Sequence, residues 1–239
     1  MCAILGWVGN ITPKLLRRLY RASAPFGPHS VGLAYVVDPT VTRVFKRAVS
    51  PGYFLRNCNH RINTAARYQV GLGHVRFATH GAVTDENAHP FVYKGTVFVH
   101  NGIVTNHRKL NPKGTVDSEC LGPLIQQRQL NRAEGSVAVA WLNHGQLNIY
   151  AHNQRLKAVT FPELGITLVV SRNIVLDDTF PAWRTIGIEN TVEPGWAFKV
   201  TTDGLTPLWY CAPPTFEKFY PPYLTREHTN ETQNCHSKT

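Results

Sequence analysis

Apolar residues along this chain come in short runs, each closed by a turn-forming residue. The runs are Ala3–Val8, Val31–Val37, Thr42–Phe45, Gly71–Arg76, Thr96–His100, Ser136–Leu142, Gln146–Ala151, Ala158–Phe161, Ile166–Val170 and Gly195–Val200. They are rich in Val, Ile and aromatics and bounded by Gly, Asn, Asp or Pro, which predicts strands, because branched and ring side chains pack well on a pleated surface. Asn143-His144-Gly145, between two of the runs, predicts a hairpin turn. A helical period shows in two places only. Over Pro13–Ala22, Leu15, Leu16 and Leu19 share a face, with Thr12 in the capping position and Pro13 in the first turn. Over Asp117–Gln129, Cys120, Leu121, Leu124 and Ile125 form the second stripe, and Gly122-Pro123 inside it predicts a kink or a late start.

Many strands with few helices predict a layered α+β domain. The strand–turn rhythm offers no internal boundary, so residues 2–211 read as one domain. From Ala212 the composition changes: Pro213-Pro214 and Pro221-Pro222 are interleaved with Phe216, Phe219, Tyr220 and Tyr223, and polar Thr225–Thr239 follows. Residues 212–239 are therefore expected to form a tail, its aromatic part strapped across the body and its end disordered.

Composition narrows the class. With 239 residues, 43% hydrophobic and 17% charged, the chain has globular proportions. No run approaches the ~18 apolar residues of a spanning helix. The first residues also lack the charged-then-apolar order of a signal peptide, so a cytoplasmic protein with no membrane partner is expected. Five scattered cysteines without a Cys-x-x-Cys pair argue against a disulfide framework or a zinc site, and no cofactor is expected. The net charge of +10 would suit an anionic partner. The basic residues read as dispersed, however, with no aromatic-interleaved Lys/Arg run, so nucleic acid is not expected as the primary ligand.

The candidate chemistry begins at Met1-Cys2. Methionine is trimmed before a small residue, and the mature chain would then carry a thiol and a free α-amine on one residue. The amine, with a reference pKa near ~8, can take the thiol's proton. Cys2 could equally be a small apolar residue opening a buried strand. Three further segments put polar residues where a strand ends or a helix begins. They are Gly73-His74-Val75-Arg76-Phe77-Ala78-Thr79-His80-Gly81 with Asn87-Ala88-His89-Pro90, then His100-Asn101-Gly102-Ile103-Val104-Thr105-Asn106-His107, then Asp117-Ser118-Glu119. A cysteine that cleaves an amide needs donors aimed at the developing oxyanion. The Asn101 side-chain NH2 and the Gly102 backbone N–H could supply two. An amino-acid substrate needs a cation for its carboxylate and an anion for its ammonium, and Arg76 and Asp117 could serve. Singly, Asn-Gly reads as a tight turn, Arg76 as a surface ion pair and Asp117 as a helix cap.

Taken in order, Met-Cys, Gly-His-x-Arg-Phe-Ala-Thr-His-Gly, Asn-Ala-His-Pro, His-Asn-Gly-Ile-x-x-Asn-His and Asp-Ser-Glu resemble the class II glutamine amidotransferase domain. This is the N-terminal-nucleophile glutaminase of glucosamine-6-phosphate synthase and amidophosphoribosyltransferase. The nearer likeness is to the synthase's glutaminase half, and it runs from Cys2 to about Val200. The resemblance implies a four-layer αββα sandwich of the N-terminal-nucleophile hydrolase type, with L-glutamine as substrate. It implies Cys2 as nucleophile, Asn101 and Gly102 as the oxyanion pair, Arg76 and Asp117 on the glutamine head group, and Phe77, Thr79 and His80 lining the pocket. Arg21 resembles the arginine of the family's Arg-Gly-Tyr-Asp-Ser segment.

Two departures stand out. Ala3 follows the nucleophile where the family usually has Gly, and the arginine segment is rewritten as Arg21-Ala-Ser-Ala-Pro-Phe-Gly-Pro-His29-Ser30. The expected function is glutamine hydrolysis through a Cys2 thioester, with ammonia supplied to an acceptor or synthase subunit in another chain. The alternative is a catalytically silent glutamine-binding or scaffold protein that retains the fold.

Overall fold

The computed structural model describes residues 2–214. Met1 and most of the predicted tail lie outside the described residues. β1 (Ala3–Gly9) leads into α1 (Pro13–Ser23), and a 3-10 turn at Ala24–Phe26 returns the chain to β2 (Ser30–Asp38) and β3 (Val41–Arg47). Two short helices, α2 (Pro51–Asn57) and α3 (Asn59–Ala65), precede β4 (Val70–Arg76). β5 (Phe91–Tyr93), β6 (Thr96–Val104) and α4 (His107–Leu110) follow. Next come a 3-10 turn at Asp117–Cys120 and α5 (Leu121–Gln127). The hairpin β7 (Gly135–Asn143) and β8 (Gln146–His152) leads to β9 (Lys157–Phe161) and β10 (Ile166–Val170). The described chain closes with α6 (Asn173–Thr179), α7 (Trp183–Ile186), β11 (Ile188–Asn190), β12 (Trp196–Thr201) and β13 (Gly204–Tyr210).

The strands form two antiparallel sheets, one of seven in the order β11-β9-β10-β1-β4-β2-β3 and one of six in the order β13-β12-β8-β7-β6-β5. β1 shows why they stack. Its Ala3, Leu5 and Trp7 face one way, into a core shared with Leu16, Leu19 and Tyr20 of α1, Phe54 of α2 and Ile62 of α3. Ile4 faces the other way, into a core between the sheets with Leu72, Val99, Ala140, Ile149 and Val169. A strand buried on both faces reads as a continuous apolar run, which Ala3–Val8 does. The third core packs Leu121, Leu124 and Ile125 of α5 on Phe98, Val139 and Trp141 of the six-stranded sheet. Helices on one sheet, sheet on sheet and helix on the other sheet make the expected αββα sandwich. Each large side chain fully buried in these layers contributes about 1.5–3 kcal/mol.

The predicted strands are all present, most of them longer by a residue or more. The three unpredicted ones, β5, β11 and β13, are all sheet edges, where one side has no partner and the apolar pattern weakens. The predicted Asp117–Gln129 helix takes the late start. It is a 3-10 turn to Cys120, then α5 with Pro123 tolerated in its first turn, stopped by Arg128 in the left-handed region. At the β7–β8 turn, His144 and Gly145 both have positive φ, the geometry that matches a hairpin's twist.

Candidate active site

The ends of β1, β4 and β10 in one sheet meet the middle of β6 in the other, and the candidate residues gather there. Cys2, Arg76, Phe77, Thr79, His80, His89, His100, Gly102, Val116, Asp117 and Ser118 line a single pocket. Every residue expected to bind or cleave substrate is therefore in this lining, except Asn101, which stands immediately behind it.

Cys2 sits one residue before β1, which pairs with β4 so that Ala3 lies opposite Val75. That register sets the thiol beside the residue that follows β4. The Phe77 backbone N–H donates to Cys2 Sγ at 3.2 Å, and the thiol reaches the Phe77 carbonyl at 3.4 Å. Burial pushes the thiol pKa up, the Phe77 backbone and Arg76 act against this, and Asp117 adds to it. The resting group is consequently a thiol.

Asn101 and Gly102 are not in a turn. They lie inside β6, opposite Ala138 and Val137 of β7. Gly102 has φ of 135°, and a Cβ there would fall 1.8 Å from the Ser136 carbonyl, so only glycine fits. The Asn101 side chain is buried and fully engaged. Its Nδ2 donates to the Cys2 carbonyl at 2.9 Å and to Ser171 Oγ at 2.7 Å. Its Oδ1 lies 3.2 Å from His74 Nε2, which is also 3.1 Å from the His100 carbonyl. Two acceptors on one ring nitrogen assign the His74 proton to Nε2. Ser171 Oγ in turn accepts from the Ile4 N–H at 2.9 Å. These bonds tie the Cys2 carbonyl to both sheets. They also differ from the sequence expectation, since neither hydrogen of the Asn101 amide is unclaimed in this arrangement.

Arg76, at the end of β4, is buried, and burial lowers its pKa. Two of its N–H groups hold the following loop through the carbonyls of His80 and Ala82. The remaining donors are left for the pocket. Asp117 Oδ2 accepts from the Val104 N–H at 2.9 Å, which fixes the carboxylate. Its Oδ1 stands 4.0 Å from His80 Nδ1, too far for a hydrogen bond. One carboxylate oxygen is thus held by backbone and the other faces the pocket.

Three residues near the site were not singled out for roles in the sequence. His89 lines the pocket, packs on the His74 ring at 4.2 Å and has no hydrogen-bond partner on either ring nitrogen among the described residues. Burial holds it, His74 and His100 below the ordinary histidine range, with His74 at about 3, so this floor is neutral near pH 7. Ser171 and Arg172 close β10, and Arg172 carries its charge into the field of Cys2. Its guanidinium lies 5.6 Å from the Phe26 ring. Polar residues ending an apolar run were the signal that marked the other segments, and Ser171-Arg172 carries it too. Arg21 is placed differently from expectation. It is exposed in the last turn of α1 and absent from the pocket lining. The rewritten segment reaches the site through Phe26 and through His29, whose Nδ1 accepts from the Ala78 N–H at 2.8 Å and whose ring packs on Phe77.

Comparison with known proteins finds likenesses of sequence and of fold. The profile described as "Glutamine amidotransferases class-II" matches residues 32–138. A glutamine–fructose-6-phosphate aminotransferase (isomerizing) of Xylella fastidiosa is 38% identical over 136 residues, which are 52% of this chain and 22% of that protein. Its counterpart in Bradyrhizobium diazoefficiens is 30% identical over 167 residues, covering 59% of this chain and 26% of the relative. The matched stretch thus spans about a quarter or less of these relatives. Among solved structures, the glutamine phosphoribosylpyrophosphate amidotransferase of B. subtilis superposes with a TM-score of 0.67 at 17% identity, over 87% of this chain and 49% of that one. That likeness is one of fold. Residues 32–138 are thus similar in sequence to the class II glutamine amidotransferases, and the described chain shares the fold of a solved amidotransferase.

Proposed function

We propose that the protein hydrolyses the side-chain amide of L-glutamine, with Cys2 as nucleophile after Met1 is removed. The observation that carries this reading is the convergence of the Cys2 thiol, the Arg76 guanidinium and the Asp117 carboxylate on one pocket. A thiol, a cation and an anion around a small space match an amide, an α-carboxylate and an α-ammonium. The relatives' names, which pair glutamine with amino transfer, support the same substrate.

In this mechanism the free α-amine of Cys2 takes the thiol proton as sulfur attacks the amide carbon. A C–S bond forms, and the oxyanion is held by the Gly102 N–H and by an Asn101 amide hydrogen released from the Cys2 carbonyl. The amine then passes its proton to the leaving nitrogen, the C–N bond breaks and ammonia departs. Water hydrolyses the γ-glutamyl thioester to glutamate and restores the thiol. A base is needed because burial keeps sulfur protonated at rest. Arg76 clamps the α-carboxylate, Asp117 Oδ1 holds the α-ammonium, and Phe77, Thr79 and His80 close the front of the pocket. The ammonia goes to an acceptor subunit in a separate chain.

The deciding experiment measures glutamate released from glutamine by Met1-free protein, alone and with cell extract. Wild type releases glutamate, extract containing the acceptor subunit raises the rate, and Cys2→Ala releases none. Turnover by Cys2→Ala would overturn the mechanism. Glutamine binding without turnover by the wild type would establish the silent-sensor reading instead.

A further inference from the structure

The charge of this protein is not spread through its fold. Residues 1–67 contain ten of the 25 lysines and arginines but only one of the 15 acidic residues, Asp38. Nine of the ten net positive charges therefore come from barely more than a quarter of the chain. What reads as dispersed along the sequence is gathered by the topology. α1, α2 and α3 pack on the same face of the seven-stranded sheet. α1 and α3 are joined by Arg17, which donates to Asn59 at 3.1 Å and to Asn63 at 2.7 Å. On β3, Arg43 and Arg47 lie opposite Tyr35 and Val31 and flank Phe45, so they rise on this same helical side.

The arrangement is costly for the isolated chain. Lys14, Arg17, Arg18 and Arg21 sit at i, i+3, i+4 and i+7 of α1, a spacing that puts like charges side by side. Lys14 lies in the first turn, where the helix dipole disfavours a cation, and no acidic residue accompanies it. Among the described residues, Arg47 is the one member of the group in a salt bridge, with Asp85. Solubility alone is served by mixed charges, whereas a one-signed field serves a counter-charged partner.

We propose that this helical face binds the phosphodiester backbone of a nucleic acid. Two features favour that partner over an acidic protein. Of the eight cations on α1, α2, α3 and the helical side of β3, seven are arginine, whose planar fork matches phosphate. These three helices also lack the apolar centre of a protein–protein interface: among their residues Tyr53 is the one exposed large hydrophobic side chain. Nothing on the face reads bases, so the binding is indifferent to sequence. The last turn of α1 leads through the Ala24–Phe26 turn to Arg172 and Cys2, so a bound strand would lie beside the pocket mouth. This inference does not depend on glutamine turnover.

The test is fluorescence anisotropy of the full chain with a labelled 30-mer, as duplex DNA and as RNA. With about five phosphates contacted, affinity should fall roughly 10²–10³-fold between 50 and 200 mM salt. The triple variant Lys14→Glu, Arg18→Glu, Arg56→Glu should lose binding at least about tenfold. A control triple, Lys94→Glu, Lys113→Glu, Arg155→Glu, makes the same net charge change at exposed positions elsewhere and should stay close to wild type. Thermal unfolding of both triples shows whether either has lost its fold, and anisotropy is read at a temperature where both are folded. Equal loss in the two triples would reduce the effect to net charge and overturn the proposal. So would failure to bind either nucleic acid at 50 mM salt. Binding of polyglutamate or phosphatidylserine vesicles in place of nucleic acid would also overturn it, assigning the face to an acidic protein or a membrane.

Discussion

Behind the Cys2 thiol, Asn101, Ser171 and His74 hold one another and the backbone of both sheets. In front of it, residues 77–83 are held by two bonds from Arg76, one from Asn87 Nδ2 to the Ala82 carbonyl, one from the Ala78 N–H to His29, and the contacts of the Phe77 backbone with Cys2. The rear wall is buried and built on paired strands, whereas Phe77, Thr79, Gly81, Ala82 and Val83 are exposed. The division assigns different tasks to the two walls. Groups that must meet a developing charge work best when fixed beforehand, because no reorganisation is then needed during reaction. Groups that admit a substrate must yield, and exposed backbone with few buried contacts opens at lower free energy than a core strand.

The largest break in this comparison should come from Asn101→Ala. It removes the Asn101 donor from the Cys2 carbonyl and one of two partners from Ser171 Oγ and His74 Nε2, and a buried group left unpaired costs about 1–3 kcal/mol. With the proposed oxyanion donor also gone, kcat for glutamine should fall about 10²–10³-fold. Thermal unfolding and steady-state kinetics on one preparation would show both losses together. A fall in kcat with an unchanged melting temperature would mean that the rear wall is not the fixed frame described above.

Arg76→Lys tests the front wall. It keeps the charge but loses the fork, so both the carboxylate clamp and the bonds to the His80 and Ala82 carbonyls weaken. KM should rise by roughly 10–10²-fold, the cost of a lost charge-assisted bond of about 1.5–3 kcal/mol, with a smaller change in kcat. An equal fall in kcat at constant KM would place Arg76 with the chemistry rather than with admission.

The rear wall and its surroundings also have a pH signature. Burial depresses His74 to about 3 and His152 to about 4, while unfolded histidine titrates near ~6.5. Between these values the unfolded chain binds protons that the folded chain refuses. Stability is therefore full above about pH 6.5 and falls as pH drops toward the folded values, by roughly 1.4 kcal/mol per pH unit for each histidine. Urea titrations from pH 7 to 4 would measure the slope, and His152→Gln should reduce it by one proton. A flat profile would mean that these rings are solvated.

Much of this frame could be read in the sequence because the chemistry there is discrete. Gly102 was legible as a place of close approach, and Asp117 as a carboxylate at a helix start. What Asn101 does with its amide was not legible, since its partners Cys2, His74 and Ser171 come from three other strands' ends and only the registers of β1, β4, β6 and β10 bring them together. α1 and α2 make the same point at the local level. Thr12-Pro13 and Ser50-Pro51 open them with the same cap, each hydroxyl accepting the N–H three residues on, at 3.1 and 3.2 Å. Only α1 was predicted, because α2's seven residues are too few for a period to repeat. Charge was the most misleading. The excess of cations over residues 1–67 stands in the sequence, but that most of them share one side needs three helices folded onto one sheet.

Phe77 carries the smallest expected effect and the sharpest comparison, because its hydrogen bonds to the Cys2 thiol come from its backbone and not from its ring. The N–H and carbonyl of Phe77 both meet Cys2 Sγ, whereas the ring is 42% exposed and packs on His29 at 5.0 Å. Phe77→Ala leaves both backbone contacts and removes only the ring. Losing one exposed aromatic contact is worth about 0.5–1.5 kcal/mol, so KM should rise no more than about tenfold and kcat should stay within about threefold. If Phe77→Ala instead lowered kcat as far as Asn101→Ala does, the ring would be excluding water from the reacting sulfur. The front wall would then belong to the fixed machinery, and the division between a rigid rear and a yielding front would fail.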